Sequence, residues 1–317
     1  MNKTRILNGL WLAIALALPL YVQGLYQRNL FVFAGIFIIL ALGLDMVVGY
    51  VGELSLGHGG FFGIGTYASA LMALQWNTPF LVDFIGAVLV TGIFGFLIGF
   101  PSLRLTGPYF AIVTFGFAEI LQLIALNSNF TRGPMGLPGV SKARIFGFTF
   151  QSEMANYYLV LGVVLICIFV THRLVRSRTG MAIVAIRENE QLARSMGVNA
   201  FRFKVLAFVI GTMFAGAAGS LYVHYTNFTD PDHMGFFYTV TPLAMVLVGG
   251  RGSIRGTVIG AVLFYLLPEY LRAAAAWRLS AFGLLIVISI IFMPQGIDGA
   301  IRKLGLLRKR TPAHGTV

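Results

Sequence analysis

The sequence predicts an all-α, polytopic membrane protein of about ten transmembrane helices built as a single transmembrane domain, residues 1–317. Three observations carry this. Hydrophobic residues make up 57% of the chain and charged residues only 11%, against roughly 45–50% and about 25% in a soluble domain. The apolar residues fall in blocks of about 20, the length that crosses a bilayer core as a helix. The net charge of +12 is gathered in a few segments, as it is when Lys and Arg mark cytoplasmic loops. Such a composition excludes a soluble enzyme. Membrane topology, rather than nucleic acid, accounts for the basic excess.

Taken in order, apolar runs bounded by charge, Gly or Pro predict spans near 8–26, 30–50, 59–75, 81–100, 109–127, 156–172, 204–226, 236–250, 256–271 and 279–294. In the first, Lys3 and Arg5 precede a greasy stretch, and Ala15 and Ala17 mimic a signal-peptidase site. With so many spans following, an uncleaved first helix is expected. The run at 236–250 is short and carries Pro242, so a kink or break is expected there. The longest outer loop is 128–155, punctuated by Gly and Pro between Thr131 and Gly139.

The segment 173–204 holds Arg173, Arg176, Arg178, Arg187, Arg194, Arg202 and Lys204 against Glu188 and Glu190, and the tail 295–317 is again basic. An even number of spans separates each of these from the other and from Lys3 and Arg5. All three regions therefore fall on one side, and both termini are expected in the cytoplasm. Cys167 stands alone in an apolar run and cannot form an intramolecular disulfide.

Glycine is costly inside a helix unless close backbone approach compensates, and in lipid small residues four apart make such contacts. Gly95/Gly99 and Gly252/Gly256/Gly260 have that spacing and read as packing faces. The stretch 49–65 is different, because Glu53, Ser55 and His58 are interleaved with its glycines. Polar or irregular backbone at membrane depth is tolerated where it lines a cavity or is buried in protein, so a substrate-path element is expected there. Its Gly63–Ala68 portion matches G-x-G-x-x-A but follows no strand, and a nucleotide site is discarded.

Asp45, Asp83, Glu119, His224 and Glu269 lie in or near spans. Glu119 is the deepest and reads either as a path contact or as a packing acid; Asp83 and Glu269 read as solvated at an interface. His224, Asp230, Asp232 and His233 show no metal-ligand spacing. No nucleophile–base set points to catalysis, and no cofactor or metal is expected.

Residues 185–198 predict one short amphipathic helix, with Ile186, Leu192, Ala193 and Met196 along one side and Gly197 as a left-handed stop. It suits docking on a cytoplasmic partner, or lying on the headgroups. Within it, Gln191-Leu192-Ala193-x-x-x-Gly197 resembles a degenerate coupling motif of ABC importer permeases, with Gln and Leu where Glu and Ala are usual. Three further blocks closely resemble branched-chain amino-acid permeases of the LivM type: Gly52–Gly65, Gly107–Thr114 with Gly116–Glu119, and Leu247–Ser253. Glu53 stands where Gln is common in that family.

This resemblance implies an ABC importer permease-like bundle in the cell inner membrane. It also implies a paralogous permease subunit, two ABC ATPase subunits and a periplasmic or extracellular substrate-binding protein. Glu188, Glu190, Gln191, Ala193 and Gly197 would couple to the ATPase. Glu53, Ser55, His58, Thr114 and Glu119 would line the path. Branched-chain or other hydrophobic amino acids suit such a path. Urea or amides, aromatic acids, simple sugars, or an ion-coupled carrier remain alternatives, with an intramembrane enzyme a distant third.

Overall fold

The computed structural model describes residues 16–19, 21, 24–270 and 296–303. The predicted span 279–294, most of 8–26, the tail beyond 303 and the side chain of Glu269 lie outside the described residues. The main helices among the described residues are α1 (Leu25–Asp45), continued by a π-turn (Met46–Val51), α2 (His58–Gln75), α3 (Phe80–Ser102), α4 (Pro108–Asn127), α5 (Glu153–Val175), α6 (Arg178–Glu188), α7 (Glu190–Ser195), α8 (Ala200–Thr226), α9 (Phe237–Gly249), α10 (Ile254–Tyr270) and α11 (Gly296–Lys303). Five segments among the described residues are long and apolar enough to cross a membrane: Leu25–Val51, α3, α4, α5 and α8.

The bundle is sorted by burial. α1 is buried along most of its length, with Ile36, Ile39, Leu40, Leu42 and Leu44 fully enclosed, and α8 packs beside it. α3 instead exposes Leu81, Ile85, Leu89, Ile93 and Leu97 at helical spacing, an apolar outer face suited to lipid. Between helices in lipid the hydrophobic effect supplies no drive, so cohesion comes from close van der Waals contact. At the α2–α8 crossing a Cβ on Gly65 would stand 2.6 Å from the Gly216 Cα. The predicted packing glycines behave likewise: Gly95 and Gly99 admit Thr212 and Phe208 of α8, and Gly256 and Gly260 lie on the α9 backbone.

Polar caps set the boundaries in the basic loop. Asn199 starts α8 and Ser177 starts α6. The single helix expected over 185–198 is broken at Asn189. This residue is extended (φ −159°, ψ 102°) and its side chain accepts from the Leu192 N–H at 3.0 Å, ending α6 and capping α7. The break also overturns the predicted single apolar side. Ile186 and Ala193 are buried together with Ala200, while Leu192 and Met196 point outward. Gly197, at φ +83°, takes the left-handed conformation expected of the stop.

On the opposite end, strand β1 (Leu137–Pro138) pairs antiparallel with β4 (Phe228–Thr229), joining the 128–155 loop to the 227–235 loop; β2 (Arg144–Ile145) pairs with β3 (Phe148–Thr149). Asn227 reinforces the join by donating to the Val140 carbonyl at 2.7 Å. Asp83 lies beside this end but is not solvated. It is fully buried, accepts from Thr78 and faces the His224 ring at 3.4 Å.

Candidate functional site

The 27 residues of α8 span about 40 Å at 1.5 Å per residue, and they serve as a depth scale. Gly65 meets Gly216, and Ser69 hydrogen-bonds Ser220 at 2.8 Å, so α2 runs parallel to α8. The first α2 residue, His58, therefore lies near the middle of α8, where its ring abuts Gly43 opposite Gly211. The Gly59 N–H donates to Thr239 Oγ1 at 2.8 Å. A Cβ on Gly59 would stand 2.7 Å from the Gly235 carbonyl oxygen.

Both α2 and α9 thus begin at mid-depth and run in opposite directions. The predicted spans 59–75 and 236–250 are not simple crossings; irregular chain at 52–57 completes the first path, and a segment built around a 3-10 turn (Pro231–Met234) completes the second. The interruption expected at Pro242 comes before α9 instead, and the helix runs through that residue.

The expected path residues divide at this junction. Thr114 of α4 reaches it: its Oγ1 accepts from the Leu56 N–H at 3.1 Å while donating to α4 carbonyls. Ser55 is fully buried next to it, its Oγ without a partner among the described residues. Glu119 is half-buried, one residue beyond the Ala118 that packs on Gly60. It shares an α4 face with the exposed Ile112, Ile120 and Leu123. Phe115 of the same helix meets Phe236 edge to face. His58 departs from the expectation, because its imidazole points away from α4, into the packed core between α1 and α8.

Glu53 also lies elsewhere, at the end of α8 that adjoins the basic loop. There Lys204 Nζ contacts Glu53 Oε1 at 2.7 Å and Glu190 Oε2 at 2.7 Å. The Lys204 and Glu53 side chains are only 4% and 10% exposed; Glu190 is 25% exposed. The other Glu53 oxygen accepts from the Gly107 N–H at 3.1 Å, and the other Glu190 oxygen pairs with Arg194 at 2.6 Å. Each carboxylate is satisfied on both oxygens, as buried charge requires.

A second tie lies alongside. Arg187 Nη1 donates to the Gly49 carbonyl at 2.8 Å and its stem covers Gly52, which closes the π-turn at φ +90°. Asp45, fully buried, accepts from the Gly252 N–H at 2.8 Å and from Thr257 Oγ1 at 3.0 Å. The two glycine-rich stretches, 49–52 and 249–256, are thereby packed on each other.

Along the sequence Lys204 reads only as a topology marker. The available signal was a lysine one turn inside an apolar helix, which must find a carboxylate or remain costly. Of the expected coupling residues, Glu188 pairs with Arg187 while staying 68% exposed. Gln191 and Gly197 are exposed, and Ala193 is buried under them.

Burial disfavours the charged form of Glu190, but the ammonium of Lys204 and the guanidinium of Arg194 outweigh it and hold the carboxyl below its ordinary value of 4.5. A depressed folded-state value means that the bridge's stabilisation is complete above that ordinary value and is lost as pH falls through the folded one. The stability difference between the native chain and Glu190→Gln is therefore expected to be flat between about pH 6 and 8 and to shrink only in acid below about pH 4.5. Thermal unfolding of the purified protein across that range checks it.

A family model described as the branched-chain amino acid transport system permease component matches residues 27–294. The high-affinity branched-chain amino acid transport system permease protein LivM of Salmonella typhimurium is 37% identical over 286 residues, covering 83% of this chain and 67% of that protein. Escherichia coli LivH, a permease protein of the same kind of system, is 28% identical over 291 residues, covering 82% and 90%. A probable LivM permease of Methanocaldococcus jannaschii is 26% identical over 315 residues, covering 83% and 90%. No solved structure matches the chain significantly.

Proposed function

The chain belongs to the permease-component family of branched-chain amino acid transport systems, and from that premise we propose how it works in an ATP-driven importer. It is a multi-pass permease. In the proposed complex it pairs with a paralogous permease, two ABC ATPase subunits dock on its basic face, and a soluble binding protein delivers substrate to the other face. The chain lies in the inner membrane with both termini and the 173–204 segment in the cytoplasm. The joined 128–155 and 227–235 loops receive the binding protein.

The observation that carries this reading is the family match over residues 27–294. The geometry supports it. Glu188, Gln191, Leu192 and Met196 form an exposed mixed surface on α6 and α7, suited to the ATPase. The mid-depth junction of α2 and α9, with Ser55, Thr114 and Glu119 beside an open apolar α4 face, is suited to passing a zwitterion with an apolar side chain. Breaks in helices at mid-depth are where transporters place polar backbone near substrate. The cargo is a branched-chain or other hydrophobic amino acid. The ion-coupled carrier is not favoured by the family.

Reconstituting the complete complex in proteoliposomes tests this. Leucine uptake is expected to require both ATP and the binding protein, with urea, aromatic acids and sugars failing to compete. Uptake that instead followed an imposed ion gradient without ATP would overturn it. Changing Glu188, Glu190 and Gly197 together to alanine, serine and valine is expected to abolish ATP-driven uptake while the chain remains in the membrane; unchanged transport would sink the coupling assignment.

A further inference from the structure

We infer that Lys204 links the ATPase-docking element to the mid-depth substrate junction, through a Glu190–Lys204–Glu53 bridge that fastens α7 to the 52–57 segment. The inference rests on the permease reading above and assigns Lys204 a positioning role that the sequence did not suggest. It also revises Glu190, whose carboxylate turns inward to Lys204 rather than outward to a partner.

Three observations carry it. First, the bridge joins elements far apart in sequence: Lys204 and Glu53 are separated by 151 residues, and both contacts are 2.7 Å. Second, the far end of 52–57 is fastened as well. Leu56 is bonded to Thr114, Gly57 lies on the Thr114 carbonyl, and the next residues open α2 and bond Thr239 of α9. A shift of Glu53 therefore reaches the polar groups of the junction directly. Third, the two halves of the bridge differ in burial. The Lys204–Glu53 pair is sealed in the bundle, while Glu190 is on the surface helix. Opening a sealed pair strands a buried charge, so it holds as a unit, and the outer half is the one that a docking partner can strain.

The chain itself connects α7 to α8 through 196–199, so motion also passes along the backbone into α8. The bridge adds a cross-connection to a different element, the one that positions the N-terminus of α2. A coupling path of this kind is established only by measured interaction between its members, and the experiment is built on that.

The complete complex, reconstituted with its binding protein, is assayed in parallel for ATP hydrolysis and leucine uptake. In Glu190→Gln the leucine carried per ATP is expected to fall about tenfold, the scale of one lost charge-assisted hydrogen bond, with hydrolysis changed less than about twofold. Glu53→Gln gives the same split. The double variant is expected to lose no more than the worse single one, because both act through one bridge. Lys204→Arg keeps both contacts and the native ratio. Uptake and hydrolysis falling in proportion, or losses that multiply in the double variant, would overturn the bridge while native transport stood. Absence of ATP-dependent uptake in the native complex would instead overturn the permease reading and the bridge with it.

Discussion

Lys204→Met is expected to lower the stability of this protein by about 3–5 kcal/mol, the cost of removing one partner of a buried ion pair. The substitution preserves the stem and the helix propensity of α8, so the loss is specific to charge. It leaves Glu53, 10% exposed, with the Gly107 N–H as its remaining hydrogen-bond partner among the described residues. The measurement is thermal unfolding of the detergent-purified complex, with yield as a second readout. Two companions sharpen the result. Lys204→Arg should behave as the native chain, and Lys204→Met combined with Glu53→Met should recover most of the loss, because an apolar pair of similar volume replaces the ions without a stranded charge. A double variant as unstable as Lys204→Met alone would show that the loss came from packing.

Gly65→Val should have the other large effect. The hypothetical Cβ stands 2.6 Å from the Gly216 Cα and 2.8 Å from its carbonyl oxygen. Both are backbone atoms that no rotamer change can move. α2 and α8 must then part, and overpacking costs typically about 1–3 kcal/mol; here it also pulls apart the Ser69–Ser220 hydrogen bond one turn on. Gly65→Ala is expected to show the same effect at smaller size. Gly162, where a Cβ would meet nothing within 4 Å, serves as the control: Gly162→Ala should be neutral or mildly stabilising, as in any helix interior. Melting temperatures of the three purified variants decide it. If Gly65→Val melted with the native protein, the tight α2–α8 crossing would be wrong.

Much of the architecture was legible because its causes are local. The spans at 30–50, 81–100, 109–127, 156–172 and 204–226 follow from runs of apolar residues, and helices occupy all five to within several residues. Gly197 was legible as a left-handed stop from its place after a polar helix. The break at Asn189 was not legible, because a side chain that can cap a helix interrupts a periodicity that otherwise runs on. Nor was the burial of Asp83, because nearness to a span end says nothing about which neighbour covers a group. Among the expected path residues, Thr114 bonds the chain next to Ser55, while His58 turns into the core and Glu53 into the basic end; none of these placements follows from their nearness in sequence.

The family, the membrane-spanning character and the list of polar residues that needed explaining were determined by the sequence, since composition, apolar run length and motif order are properties of the chain itself. What each polar group does is set by the folded chain. Apolar periodicity constrains which side of a helix is buried but not which helix it meets, and ion pairs join residues by distance in space. Lys204 is therefore a topology marker when read along the chain and the centre of a three-member charge bridge when folded. Likewise α2 reads as an ordinary span and α9 as a kinked one until α8 gives them a depth, and both then start near its middle.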